Sequence, residues 1–251
     1  MIVIPMAGAS RRFSEAGYDR PKYMLDLLGR PLFDWAVASF AASFSAVPFL
    51  FIIRPSDGTP EFVAQRVRAL GIRRAEVVAL DRPTAGQAET VEAGLDRSSQ
   101  PPDEDLAVFN IDTIRPGLDP SAMSGMSGWL EVFRGDGENW SFIEPDAANP
   151  ALVARTTEKV RISDLCCSGL YHFARADLFR EALACERASP SSHELFVAPM
   201  YNHLIARGHR IGWREVPGRD VILSGVPAEY EALLRETPQP LVALAEQLDK
   251  A

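Results

Sequence analysis

The chain has 251 residues, 47% of them hydrophobic and 24% charged, with a formal net charge of −8 at pH 7. These values fit a folded globular chain with a sizeable core and exclude a disordered or collagen-like one. The acidic balance speaks against nucleic acid or an anionic membrane as the main partner, since neither attracts net negative charge.

Three cysteines, Cys166, Cys167 and Cys185, are too few and wrongly spaced for a disulfide framework or a zinc site. They read as small apolar residues in a reducing, cytoplasmic setting. No apolar run reaches the roughly 18 residues a membrane span needs. The apolar start lacks the basic residues of a signal peptide and reads as a strand.

Ile2 to Met6 is a short apolar run that ends in Ala7-Gly8-Ala9-Ser10, a buried strand entering a small-residue loop. Pro31 to Phe44 sets Leu32, Trp35, Ala36, Ser39 and Phe40 at helical spacing. Phe49 to Ile53 reads as a second buried strand, and Pro60 to Leu70 as a helix with proline in its first turn. Ala75 to Leu80 follows as a strand, Gly86 to Leu95 as a helix, and Leu106 to Phe109 as a strand running into Asn110-Ile111-Asp112. This alternation predicts an α/β, Rossmann-like fold: a mixed, mostly parallel sheet flanked by helices, with right-handed crossovers.

Past residue 125 the pattern changes. Gly128 to Arg134, Trp140 to Glu144, Leu152 to Arg155, Cys167 to Phe173 and Arg210 to Val216 read as strands. Ala176 to Cys185, Leu195 to Arg207, Ala228 to Leu234 and Leu241 to Leu248 read as helices. With no repeat and no low-complexity linker, residues 1–251 are one domain: an α/β half (1–125), a strand-rich half (126–235) and a C-terminal helix (236–251).

The first site candidate is Pro5 to Phe13, followed by Pro21-Lys22. Small residues let backbone approach a ligand closely, and successive N–H groups cradle phosphate oxygens. Arg12 and Lys22 add positive charge there. A structural turn with two solvated cations would use the same residues. Asp112 follows a strand end, where a carboxylate points into the usual ligand crevice of a parallel sheet. An Asp opening a turn before Pro116-Gly117 is the plainer reading. The chain has no Gly-x-Ser-x-Gly elbow and no Cys-His nucleophile pattern.

The loop matches neither the Rossmann glycine pattern nor the P-loop. It resembles the signature of the sugar-phosphate nucleotidyltransferases, whose first strand leads into Ala-Gly-x-Gly-x-Arg-Phe and then Pro-Lys. Ala7, Gly8, Arg12, Phe13, Pro21 and Lys22 match, and Ser10 replaces a glycine. Pro83 to Thr90 looks like the segment that touches the base, and Asp112 matches the family's magnesium-binding aspartate. Thr157-Glu158-Lys159 with Ser168-Gly169-Leu170-Tyr171 looks like its sugar-phosphate segment. Ser192 to Asn202 is similar to members linked to capsule and surface-polysaccharide synthesis; its plainer reading is a helix start capped by Ser192. Near the end, Gly225-Val226-Pro227-Ala228-Glu229 stands where the family has Gly-Thr-Pro-Glu.

The resemblance covers residues 1 to 235. It implies a GT-A type fold with a nucleotide-binding first half and an acceptor-binding second half. It implies an enzyme that couples a nucleoside triphosphate to a sugar 1-phosphate, giving an NDP-sugar and pyrophosphate, with Mg²⁺ as cofactor. Arg12 and Lys22 would act in catalysis. Ala7, Gly8, Ala9, Ser10, Gly86, Gln87, Thr90 and Asn110 would contact the nucleotide. Glu158, Lys159, Gly169 and Tyr171 would contact the acceptor, and Asp112 would hold the metal with Asp220, whose register is off. Two alternatives stay open: a cytidylyltransferase acting on a non-sugar phosphate of phosphocholine type, and a nucleotide-binding relative without catalysis. A homo-oligomer is compatible with all three.

Overall fold

The computed structural model describes residues 1–55, 58–99, 105–123 and 125–249. In chain order its elements are β1 (Ile2–Pro5), α1 (Arg11–Glu15), β2 (Asp26–Leu27), β3 (Arg30–Pro31), α2 (Leu32–Ala38), β4 (Phe49–Ile53) and α3 (Thr59–Ala69). Next come β5 (Ala75–Ala79), α4 (Gln87–Arg97), β6 (Leu106–Phe109), β7 (Thr113–Ile114), β8 (Gly128–Arg134), β9 (Ser141–Pro145), β10 (Val153–Glu158) and β11 (Leu165–Phe173). The chain continues with α5 (Ala176–Ala188), α6 (Tyr201–Ala206), β12 (Ile211–Glu215), β13 (Ile222–Leu223), α7 (Pro227–Arg235) and α8 (Gln239–Leu248). The last two residues of the expected C-terminal segment lie outside the described ones.

Runs that are apolar at every position become strands covered on both faces. Phe49 to Ile53 is such a run, and all five residues of β4 are fully buried. β5, β4, β1 and β6 are parallel neighbours in that order. In chain order they are the third, second, first and fourth strands of the sheet, so connections diverge between β1 and β6. A ligand crevice lies at such a point, outside the carboxyl ends of the strands. The second half adds antiparallel strands: β11 pairs with β6 along one edge and with β8 along the other. β9 and β10 extend one side, and β12 lies parallel to β8. The mixed sheet thus joins both halves through β6 and β11.

Strand alternation divides the core. Ile2 and Ile4 pack with Phe33, Phe40, Phe49 and Phe51 on one face. Val3 packs with Leu50, Val91, Val108 and Leu183 on the other. Each large side chain so buried contributes about 1.5–3 kcal/mol by removing apolar surface from water. A third cluster, with Phe13, Trp35, Tyr230, Leu241 and Leu244, fastens α7 and α8 beneath the first loop.

Two helices differ from expectation. α2 stops at Ala38 rather than Phe44, because Ser39 bonds outward: its hydroxyl accepts from the Arg115 N–H at 2.9 Å and its carbonyl from the Leu118 N–H at 2.8 Å. α6 starts at Tyr201 rather than Leu195, after a 3₁₀ turn over Ala198–Met200. The Leu195 backbone is committed elsewhere, donating to Ala85 and accepting from Ala88.

Candidate active site

The crevice is built from loops that leave β1 and β6. After β1, Gly8 and Ala9 are exposed and Ser10 turns the chain with φ 49° and ψ 33°. That is the left-handed conformation favoured by glycine, which Ser10 adopts here. Phe13 then plugs α1 into the third core cluster, 5.4 Å from the Tyr18 ring. Arg12 lies exposed, and its guanidinium has no ion-pair partner among the described residues.

Lys22 returns the chain to this loop. Its backbone N–H donates to Ser10 Oγ at 3.4 Å, and its ammonium meets Asp112 Oδ2 at 2.6 Å. Both side chains keep part of their surface open, 20% for Lys22 and 29% for Asp112. Among the described residues, Lys22 is the only hydrogen-bond donor to this carboxylate.

Asp112 is fixed from below by a short ladder. Ile222 pairs with Ile114 and Leu223 with Thr113, so Ser224 falls beside Asp112. The Asp112 carbonyl accepts from the Ser224 N–H at 2.9 Å and from its hydroxyl at 3.1 Å. Asp220 sits before β13, at the other end of the ladder, in a 3₁₀ turn with Arg219 3.9 Å from its carboxylate. Strand register therefore does not bring the expected second metal carboxylate to Asp112. The close neighbour is instead Gly225, where a Cβ would stand 2.9 Å from Asp112 Oδ2. Among the described residues no three His, Cys, Asp or Glu side chains converge as a metal site.

The residues expected to contact the nucleotide base meet as a group. Gln87 Nε2 donates to Asn110 Oδ1 at 2.6 Å. Gly169, at φ +99°, backs the same asparagine: a Cβ there would lie 2.8 Å from Asn110 Nδ2. Gly86 is pressed by Leu195, whose backbone nitrogen would stand 2.6 Å from an added Cβ. Thr90 serves the turn itself, bonding the Thr84 hydroxyl at 2.6 Å and donating to the Gly86 carbonyl at 3.0 Å. Gly86 stands at the N-cap of α4, and no side chain caps it.

Glu158 ends β10 and bonds the Ser141 hydroxyl, which lies 3.2 Å from the Tyr171 hydroxyl. Burial pushes the Glu158 carboxyl above its ordinary value, against the opposing pull of Ser141 and Lys159. Lys159 turns at φ 55° and stacks its ammonium 4.6 Å above the Phe196 ring. Ser141, Phe196, Ser224 and Gly225 are thus site neighbours that the sequence reading left without a role. Gly225 and Phe196, each within a matched stretch, carried a signal there.

This crevice in a Rossmann-like mixed sheet is of the nucleotidyltransferase type. The chain belongs to the MobA-like NTP transferase family, whose model matches residues 2–131, from β1 into β8. A crystal structure of a nucleoside-diphosphate-sugar pyrophosphorylase from Vibrio cholerae RC9 is 45% identical, with a TM-score of 0.90 over 94% of this chain and 100% of that one. A putative glucose-1-phosphate thymidylyltransferase from Bacillus anthracis, in complex with sucrose, is 15% identical with a TM-score of 0.72, over 94% and 95%. The inositol-1-phosphate CTP transferase from T. maritima is 13% identical with a TM-score of 0.75, over 100% and 96%. The last two share the fold. No curated protein matches the chain in sequence. No helix among the described residues is long and apolar enough to cross a membrane.

Proposed function

We propose that this nucleotidyltransferase joins a nucleoside triphosphate to a sugar 1-phosphate, releasing pyrophosphate and an NDP-sugar. The observation that carries this reading is the Lys22–Asp112 pair at 2.6 Å, set at the point where the connections of β1 and β6 diverge. The 45% identity to a nucleoside-diphosphate-sugar pyrophosphorylase supports the substrate class.

In this mechanism an acceptor phosphate oxygen attacks the α-phosphorus. The new P–O bond forms as the bond to the bridging oxygen breaks, and that electron pair leaves with pyrophosphate. The nucleophile is already anionic, so no strong base is required. The barrier lies in bringing two anions together in line, and positioning with charge neutralisation lowers it. The loop from Ala7 to Ser10 receives the triphosphate, Lys22 holds phosphate oxygens near the reacting centre, and Arg12 stabilises charge on the departing pyrophosphate. Gln87 and Asn110 meet the base, and Glu158 accepts hydrogen bonds from sugar hydroxyls while Lys159 faces the acceptor phosphate.

The donor set suits Mg²⁺. Asp112 offers a part-exposed carboxylate beside a glycine that leaves room, and Mg²⁺ is commonly held by one or two carboxylates with phosphate oxygens and water. When bound, the ion would draw charge from the triphosphate oxygens and fix their orientation.

The test is a thermal-shift panel of ATP, GTP, CTP, UTP and dTTP, with and without Mg²⁺, followed by pyrophosphate-release assays. One nucleotide at 100 times its dissociation constant is expected to stabilise the fold by about 2.7 kcal/mol. Pyrophosphate release with a sugar 1-phosphate is then expected. Release only with CTP and a non-sugar phosphate would support the second reading, and binding without release the third. No shift with any nucleotide would overturn all three.

A further inference from the structure

Beneath the crevice lies a buried ion pair that the catalytic scheme does not use. Arg115 is 7% exposed and Glu131 1%. The pair is bidentate, with Nε to Oε1 and Nη2 to Oε2 both at 3.0 Å. Arg115 Nη1 also donates to the Pro116 carbonyl at 2.6 Å, and its backbone N–H to Ser39 Oγ at 2.9 Å. Burying two charges costs desolvation that their attraction barely offsets, so stability alone is a poor reason to keep them.

The location supplies a better one. Arg115 follows β7 directly and lies three residues from Asp112. Glu131 lies on β8 where the β8–β11 ladder is irregular: Val132 pairs with Cys167 and Leu130 with Tyr171. Ser168, Gly169 and Leu170 of β11 therefore face Glu131 alone. Ser168 Oγ closes this irregularity by donating to Glu131 Oε1 at 3.1 Å. Gly169, one residue on, accepts from the Asn110 N–H at 3.1 Å and makes room for the Asn110 amide. A bulge of this kind re-aims a strand next to a site. Glu131 thus ties together the Asp112 loop and the bulge that backs Asn110.

We infer that Arg115 and Glu131, through Ser168, are positioning residues that hold the Asp112 loop and the Gly169 bulge in one arrangement. This rests on the proposed nucleotidyl transfer. The pair touches no substrate and acts by keeping Asp112 and Asn110 in place, where misplacement by about 1 Å can cost a hundredfold in rate.

The test is the double variant Arg115→Met/Glu131→Leu, since apolar residues of similar volume commonly replace a buried pair without loss of stability. The melting temperature is expected to stay within a few degrees of the parent. The kcat is expected to fall at least about tenfold, and nucleotide KM to rise with it, because Asp112 and Asn110 lose their places together. Amide hydrogen exchange across residues 110–115 and 168–170 is expected to quicken together, and this readout needs no activity. A folded double variant with parental kcat and parental exchange would overturn the inference. If that variant does not fold, Ser168→Ala decides: a several-fold fall in kcat with faster exchange at Asn110 supports the inference, and parental values overturn it. A parent that transfers no nucleotidyl group would sink the functional reading instead, and exchange would still judge the pair.

Discussion

Lys22 Nζ stands 2.6 Å from Asp112 Oδ2 although 90 residues separate the two in the chain. In the free protein each neutralises the other, so the crevice carries a stored cation beside a stored carboxylate. Lys22→Ala is expected to lower turnover at least about tenfold, the scale of one lost transition-state contact. The fold should barely notice, since a part-exposed pair contributes about 0–1 kcal/mol. Pyrophosphate release and thermal melts check the two halves of this statement, and normal turnover would remove Lys22 from the mechanism.

Gly169→Ala presses on Asn110 from behind. At φ +99° a side chain is strained, and its Cβ would collide with Asn110 Nδ2. The expected cost is about 1–3 kcal/mol of stability. Displacing Asn110 also breaks its bond to Gln87, so nucleotide Kd is expected to rise about tenfold, or 1.4 kcal/mol. Calorimetric titration with the preferred nucleotide reads this directly.

Glu158 gives a pH signature. Burial holds its carboxyl above the ordinary 4.5, so the folded chain binds this proton more tightly than the unfolded one. Its contribution to stability is therefore complete below the unfolded value and is lost as pH rises through the folded value. Above the unfolded value, the raised folded value makes this half-buried carboxyl a cost to stability. Glu158→Gln is expected to melt higher than the parent at pH 7, the two curves converging as pH falls towards 4.5. The same variant should lose affinity for the acceptor, so a melt series and acceptor KM together test whether the site trades stability for binding.

Asp34 and Arg66 predict an asymmetry. Asp34 is fully buried and Arg66 keeps 22% of its side-chain surface. Their bonds join α2 to α3, with Arg66 Nε to Asp34 Oδ1 at 2.8 Å. Arg66→Met leaves an uncompensated buried carboxylate and is expected to cost about 3–5 kcal/mol. Asp34→Asn leaves a guanidinium that can reach water, and should cost less. Denaturant unfolding of both variants decides the order.

Continuous apolar runs such as Phe49 to Ile53 were legible because a strand buried on both faces needs no partner to be recognised. The Lys22 and Asp112 motifs were legible as residue types, through resemblance. α1 was not, since its five residues show no periodicity. Nor were β7 and β13, two residues each, whose pairing exists only in three dimensions. That pairing sets Ser224 beside Asp112, where the family resemblance had implied Asp220 with its register off. Arg115 and Glu131 look like ordinary surface charges until β8 and β11 close around them.

The aromatic trio of Phe13, Tyr18 and Tyr230 bears on how the protein is made. Tyr230 packs 6.3 Å from Phe13 and 5.8 Å from Tyr18. Synthesis runs from the N-terminus at about 5–20 residues per second. The loop after β1 leaves the ribosome well before α7, which supplies its backing. A ribosome-stalled chain lacking α7 would carry Lys22 and Asp112 without the wall behind them, so nucleotide binding is expected only after α7 has emerged.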